Sequence, residues 1–255
     1  MARLGFAAIG TVYVLMGLLS LLAAIGLRHG ARADKQETMQ RLQDLPGGRL
    51  LLGLIAFGLL GYVLWRLTQA FLDTESKGSG ATGLGTRLWY VVSGLFYGSL
   101  ALYAGRLALL GRASKGGDTS QTLTAQVLGW PGGEWLVMLV GAVVIGVGLY
   151  QGYRAYSGRF QKDVNASRIP AGQQQLVYRA GQVGFTARGV VLGLIGYFFV
   201  QAGQQSRAGA VGSTGEAFDL LATMGPVALG VVAAGLVAFG GFMLVQARYP
   251  VLRGV

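Results

Sequence analysis

The sequence predicts an all-α polytopic membrane protein: six transmembrane helices in three parallel two-helix repeats, with a short surface helix before spans two, four and six. Charged residues make up only 12% of the 255-residue chain, against roughly 25% in soluble domains. Six apolar runs reach or approach the length that crosses about 30 Å of hydrocarbon. Three segments share one short apolar pattern, and repeats of this kind define an architecture before any single helix does.

The apolar runs are Leu4–Leu27, Leu50–Phe71, Leu88–Leu110, Trp135–Tyr153, Gln182–Ala202 and Val227–Gln246. No small-residue cleavage site and polar mature domain follow the first run, so it reads as a retained span rather than a cleaved signal peptide. The 44 glycines lie largely inside apolar runs. Small residues let membrane helices approach closely, because lipid supplies no hydrophobic drive for their association. Mean hydropathy is +0.52.

The odd spans open on matching segments: Gly5-Phe6-Ala7-Ala8-Ile9-Gly10-Thr11-Val12-Tyr13, Trp89-Tyr90-Val91-Val92-Ser93-Gly94-Leu95-Phe96-Tyr97 and Gly184-Phe185-Thr186-Ala187-Arg188-Gly189-Val190-Val191-Leu192. Each has an aromatic (Phe6, Tyr90, Phe185), then a glycine (Gly10, Gly94, Gly189), with a basic residue upstream (Arg3, Arg87, Arg179). The glycines are expected at helix contacts.

The even spans follow Leu45-Pro46-Gly47-Gly48, Trp130-Pro131-Gly132-Gly133 and Gly225-Pro226. Proline suits the first helical turn, where its missing N–H costs nothing. Before each proline lies a mildly amphipathic stretch, Thr38–Leu45, Thr122–Trp130 and Glu216–Met224, read as a helix lying at the membrane surface. The chain is thus one membrane domain, residues 1–255, with repeats at 1–78, 79–172 and 173–255. An even number of spans per unit starts every copy on the same side, so the repeats are parallel. Closure around a pseudo-threefold axis and an open row of hairpins both fit this pattern.

The net charge of +11 flanks apolar runs, which points to topology and anionic lipid rather than to nucleic acid. One side, with both termini, carries 11 basic and 3 acidic residues, and the other 9 basic and 7 acidic. The bias predicts a multi-pass protein of the inner (plasma) membrane with cytoplasmic N- and C-termini.

The pattern resembles the bacterial membrane family known as domain of unknown function 1206. Gly184-Phe185-Thr186-Ala187-Arg188-Gly189-Val190-Val191 carries the resemblance best, with Arg3-Leu4-Gly5-Phe6-Ala7-Ala8-Ile9-Gly10 beside it. The resemblance implies a six-span, three-repeat protein of a bacterial inner membrane and implies no activity. This chain departs from the arginine-glycine form in two copies, where Ile9 and Ser93 stand in place of Arg188. Mitochondrial-type carriers also have three two-span repeats, but they place a proline signature in the odd spans, which hold none here.

Arg188 is the foremost candidate residue. It lies nine residues beyond Arg179, about 13 Å deeper at ~1.5 Å rise per residue. A charge inside a span is costly and faces the bundle interior or a cavity. One reading is a binding point for an anionic group of a solute or lipid headgroup. The other is an arginine that snorkels or bonds carbonyls and pins one hairpin. Arg66, Arg106 and Arg154 sit near span ends, where snorkelling explains them.

Tyr13 and Tyr97 occupy equivalent positions, and Gly10, Tyr13 and Gly17 share one helix face. Gln151 and Gln246 are equivalent near the inner ends of spans four and six, with Arg66 at the third such place. They could line a cytoplasmic mouth or be ordinary interfacial polarity.

Cysteine is absent and His29 is the single histidine. These counts exclude thiolate chemistry, a bis-histidine haem and a histidine-rich metal site within one chain. No phosphate-binding Gly-x-x-x-x-Gly-Lys loop is present. No acid–base pair suited to an intramembrane enzyme is visible, and no cofactor is expected. The expected function is a non-catalytic structural or accessory protein that binds lipid, with anionic lipid at the cytoplasmic face, or a membrane protein partner. The alternative is a small-solute or anion-preferring channel along a central axis.

Overall fold

A computed structural model describes residues 2–27, 35–72, 80–111 and 119–250. His29, residues 73–79 of the Asp73–Arg87 loop and the chain beyond Pro250 lie outside them. The described chain is helical: α1 (Ala2–Ala24), α2 (Lys35–Gln43), α3 (Gly48–Leu72), α4 (Ala81–Leu110), α5 (Thr119–Leu128), α6 (Gly133–Tyr156), α7 (Ala171–Gln204), α8 (Thr214–Thr223) and α9 (Pro226–Arg248).

Five of these helices, α1, α3, α6, α7 and α9, are long and apolar enough to cross a membrane. The third predicted run falls in α4, a continuous helix of 30 residues that is not among the five. Helix α7 starts eleven residues before the predicted run, just after Pro170. Gln173, Gln174 and Gln175 are good helix formers, so the helix runs on past the apolar stretch.

The short helices α2, α5 and α8 occupy the stretches before the prolines. Helix α8 begins with a capping box: the Ser213 N–H donates to Glu216 Oε2 at 2.7 Å, and the Gly215 N–H donates to Ser213 Oγ at 3.2 Å. Only Pro226 occupies a first helical turn. Pro46 and Pro131 sit two residues ahead of their helices, before Gly47 (φ 76°) and Gly132 (φ 74°). A left-handed residue there reverses the chain, and glycine reaches that region without a Cβ clash. The next glycine receives the end of the preceding short helix. A Cβ on Gly48 would lie 1.7 Å from the Leu42 carbonyl oxygen, and one on Gly133 would lie 1.8 Å from that of Val127.

The long helices pack in the order α4, α3, α1, α9, α7, α6. The closest packing joins neighbouring repeats: α3 with α4, α6 with α7, and α9 with α1. The two long helices of the middle repeat, α4 and α6, scarcely touch. The unit that packs is therefore the junction between repeats rather than the hairpin within one.

Small residues explain the tighter junctions. Gly141 and Gly148 of α6 face Gly196 and Gly189 of α7, where an added Cβ would meet backbone carbonyl oxygen at 2.7 Å. Gly10 and Gly17 of α1 approach the Gly240 and Ala233 carbonyls of α9, each at 2.8 Å from such a Cβ. A seven-residue spacing keeps such a seam on one face of both helices. Gly94, aligned with Gly10 and Gly189, has only ordinary contacts, the nearest at 3.7 Å.

Candidate functional site around Arg188

Arg188 is carried on the face of α7 that meets α9. Gly181, Gly184, Phe185 and Arg188 share this face at helical spacing. A Cβ at Gly184 would come within 2.5 Å of Phe239, so α9 lies directly over it. The guanidinium carbon of Arg188 stands 4.9 Å from the Phe239 ring centre and 5.8 Å from that of Tyr13. Arg188 donates a hydrogen bond to the Tyr13 hydroxyl, and the phenols of Tyr97 and Tyr62 lie within electrostatic range. Part of the residue keeps accessible surface, yet its Nε is sealed from solvent and has no hydrogen-bond partner.

These aromatics interlock. Tyr13 packs edge-on to Phe239 at 4.8 Å, Phe239 to Phe185 at 5.2 Å, and Tyr62 to Tyr97 at 4.9 Å. Edge-to-face pairs at such separations are favourable beyond their buried area. A cation over a ring face is stabilised by the ring quadrupole, more so when desolvated.

Arg188, Tyr13 and Tyr97, from three different repeats, thus converge on one place. Tyr97 lies four helices from α7 along the packing order and still reaches the guanidinium's field. The row of helices is therefore curved, with its open ends at α4 and α6.

Gln151 and Gln246 are buried, with 7% and 9% of their surface exposed. The Oε1 of each has no hydrogen-bond partner. Gln151 lies against α7, its Cβ 3.6 Å from where a Gly189 Cβ would stand. Gln246 follows Phe239 by seven residues on the same face of α9, about 10 Å further along the axis at ~1.5 Å per residue. Arg66, at the third equivalent place, lies among tyrosines. Arg66 is engaged elsewhere: its Nε donates to the Tyr62 hydroxyl at 2.7 Å and its Nη1 to Gln69 Oε1 at 3.1 Å. Its guanidinium also covers the rings of Tyr62 at 5.0 Å and Tyr90 at 4.9 Å. Arg154 pairs with Asp163 and stands over Phe185 at 4.6 Å. Bound partners, rather than snorkelling alone, hold both arginines, while Arg106 is exposed.

Three contributors escaped the sequence reading. Tyr62 precedes Arg66 by one helical turn, a pair that i, i+4 spacing makes visible. Phe239 is one apolar residue among many in α9. Phe160 sits in a charged loop with no periodicity around it, yet it is fully buried. Its ring packs on Tyr178 at 5.6 Å, Phe185 at 5.5 Å and Phe242 at 5.4 Å. The Arg159–Asp163 turn therefore folds into the end of the bundle near the start of α7. The following loop is tied down by a hydrogen bond from the Asn165 N–H to the Tyr249 carbonyl at 3.0 Å.

A family model described as Domain of Unknown Function (DUF1206) matches residues 4–73, 88–158 and 183–250. The chain belongs to the DUF1206 family. It contains the family's domain three times, and each match spans two of the long helices described above. A curated relative, the "Uncharacterized protein YxxB" of Bacillus subtilis (strain 168), is 32% identical over 249 residues, covering 97% of this chain and 89% of that protein. No solved structure matches at a significant level. For this DUF1206 protein, membership fixes the repeat plan and names no reaction. Its site is a partly accessible guanidinium beside aromatic rings, with unpaired polar atoms and no carboxylate on α1, α3, α4, α7 or α9.

Proposed function

We propose that this protein is a non-catalytic integral membrane protein of the cell's inner membrane. It acts as a structural or accessory scaffold that binds lipid or a membrane protein partner. In this reading α4 is the sixth span, the surface helices α2, α5 and α8 lie at the outer face, and both termini are cytoplasmic. The observation that supports it is the interior at the level of Arg188. Rings of Tyr13, Phe239 and Phe185 pack edge to face there, as do those of Tyr62 and Tyr97, while Leu50, Leu54, Phe57 and Leu64 of α3 turn an apolar face outward. Glycine seams and an aromatic interior give a rigid body. A rigid apolar body with basic cytoplasmic ends suits the organisation of anionic lipid.

A small-solute or anion channel is the second reading, favoured by the unpaired polar atoms of Arg188, Gln151 and Gln246. Reconstitution separates the two. Purified protein in phosphatidylglycerol-containing liposomes is expected to give no chloride or phosphate flux above that of empty liposomes. It is expected to retain lipid through purification. Protein-dependent flux that saturates with solute would overturn the scaffold reading in favour of the channel.

A further inference from the structure

The Arg188 guanidinium lies among rings, and no carboxylate faces it among the described residues. Helices α1, α3, α4, α7 and α9 contain no Asp or Glu, and α6 has one, Glu134, in its first turn. Among the described residues, the groups that make up its electrostatic surroundings are the phenols of Tyr13, Tyr97 and Tyr62. A neutral ring softens the cost of a buried cation but does not cancel its charge. A buried Nε–H without an acceptor adds a desolvation penalty.

A tyrosine hydroxyl and a planar guanidinium are donors that recognise an oxyanion. The helix row is open between α4 and α6, and part of Arg188 remains accessible. On the other flank, Arg66 bonds Tyr62, which packs on Tyr97. A second cation thereby shares the tyrosine cluster.

We propose that Arg188, with the hydroxyl of Tyr13, forms a binding site for a phosphate-type oxyanion. The anion supplies the missing counter-charge. It is either the phosphodiester of an anionic lipid reaching in between α4 and α6 or free inorganic phosphate. The site deepens the lipid-binding reading and rests on it only for the first source.

The test uses the full chain with four variants: Arg188→Gln, Arg188→Lys, Tyr13→Phe and, as an exposed control, Arg106→Gln. Lipid is read by native mass spectrometry of protein released from nanodiscs of phosphatidylglycerol or phosphatidylcholine. Free anion is read as a thermal shift on titrating inorganic phosphate in an uncharged detergent. A lipid-derived group predicts phosphatidylglycerol retained by the wild type and the control. Retention would fall at least tenfold in Arg188→Gln and several-fold in Tyr13→Phe, and phosphate would give no shift. A free anion predicts a saturable phosphate shift with the same order of loss and no lipid preference. Arg188→Lys keeps the charge but lacks the planar fork, so it is expected to fold and to bind more weakly than wild type. If Arg188→Gln fails to assemble, Arg188→Lys and Tyr13→Phe decide the matter. Wild-type binding in both of those variants, or no binding of either probe by the wild type, overturns the site. Lipid retention and phosphate shift both unchanged in all the variants overturn this site and leave the scaffold reading standing. Loss of all lipid preference in the wild type removes the scaffold's lipid role instead.

Discussion

Single residues set the tightest constraints in this protein. Gly148 and Gly189 cross with backbone in contact, so a methyl at either position must push α6 and α7 apart. Gly189→Ala is expected to cost about 1–3 kcal/mol through overpacking, read as a lower midpoint in mild detergent–SDS unfolding. The aligned Gly94 has ordinary clearance, so Gly94→Ala should change the midpoint by much less. Phe160 makes the opposite case. Truncating it to alanine empties a pocket among Tyr178, Phe185 and Phe242, with an expected loss of about 3–5 kcal/mol. A midpoint within error of wild type for Phe160→Ala would contradict the buried position. Gly94 was legible from alignment, whereas Phe160 was not. Sequence position records the repeat, but burial depends on which neighbours arrive.

At the scale of elements, the short helices staple one repeat to the next. Gln40 Nε2 of α2 donates to the Tyr103 hydroxyl of α4 at 2.7 Å, and Gln43 Nε2 donates to the Gly111 carbonyl at 2.7 Å. Gln121 of α5 reaches the Val211 carbonyl at 3.4 Å. Helix α8 depends on its own cap. Ser213→Ala removes the side-chain acceptor and is expected to cost about 1 kcal/mol. Hydrogen exchange should then quicken at residues 214–217 and remain unchanged in α9. The amphipathic stretch and the Ser213-x-x-Glu216 spacing made α8 readable in the sequence. The role of the prolines was not readable in full, because a left-handed glycine after Pro46 and Pro131 moves the helix start to the next residue.

Across the whole molecule, the packing order α4, α3, α1, α9, α7, α6 makes a prediction that the absence of native cysteine renders simple to check. The Ala108 Cβ lies 4.0 Å from a Cβ built on Gly53, and the Ala24 Cβ lies 3.6 Å from one built on Gly230. Both separations lie in the range of disulfide Cβ pairs. The double variants Gly53→Cys/Ala108→Cys and Ala24→Cys/Gly230→Cys should cross-link under mild oxidation. A Leu102→Cys/Leu139→Cys pair, on the exposed faces of α4 and α6, should not. Efficient cross-linking of that last pair would close the arc and disprove the opening. Orientation is tested separately. A single cysteine at exposed Ser157 should react with an impermeant maleimide only in inside-out vesicles, and one at exposed Gln205 only in right-side-out ones.

The sequence alone determined that this is a helical membrane protein with three copies of one unit. It located the long helices and the short ones before each proline, and it singled out Arg188. These features follow from local quantities: apolar length, turn chemistry and a repeated small-residue pattern. Whatever depends on partners distant in sequence was decided by the tertiary structure. The seams between repeats, the gap between α4 and α6 and the aromatic box of Tyr13, Tyr62, Tyr97 and Phe239 exist only once helices from all three repeats converge. A lone arginine in a span marks an energetic problem. Folding brings ring faces and a hydroxyl to the guanidinium and leaves its charge open to an anion.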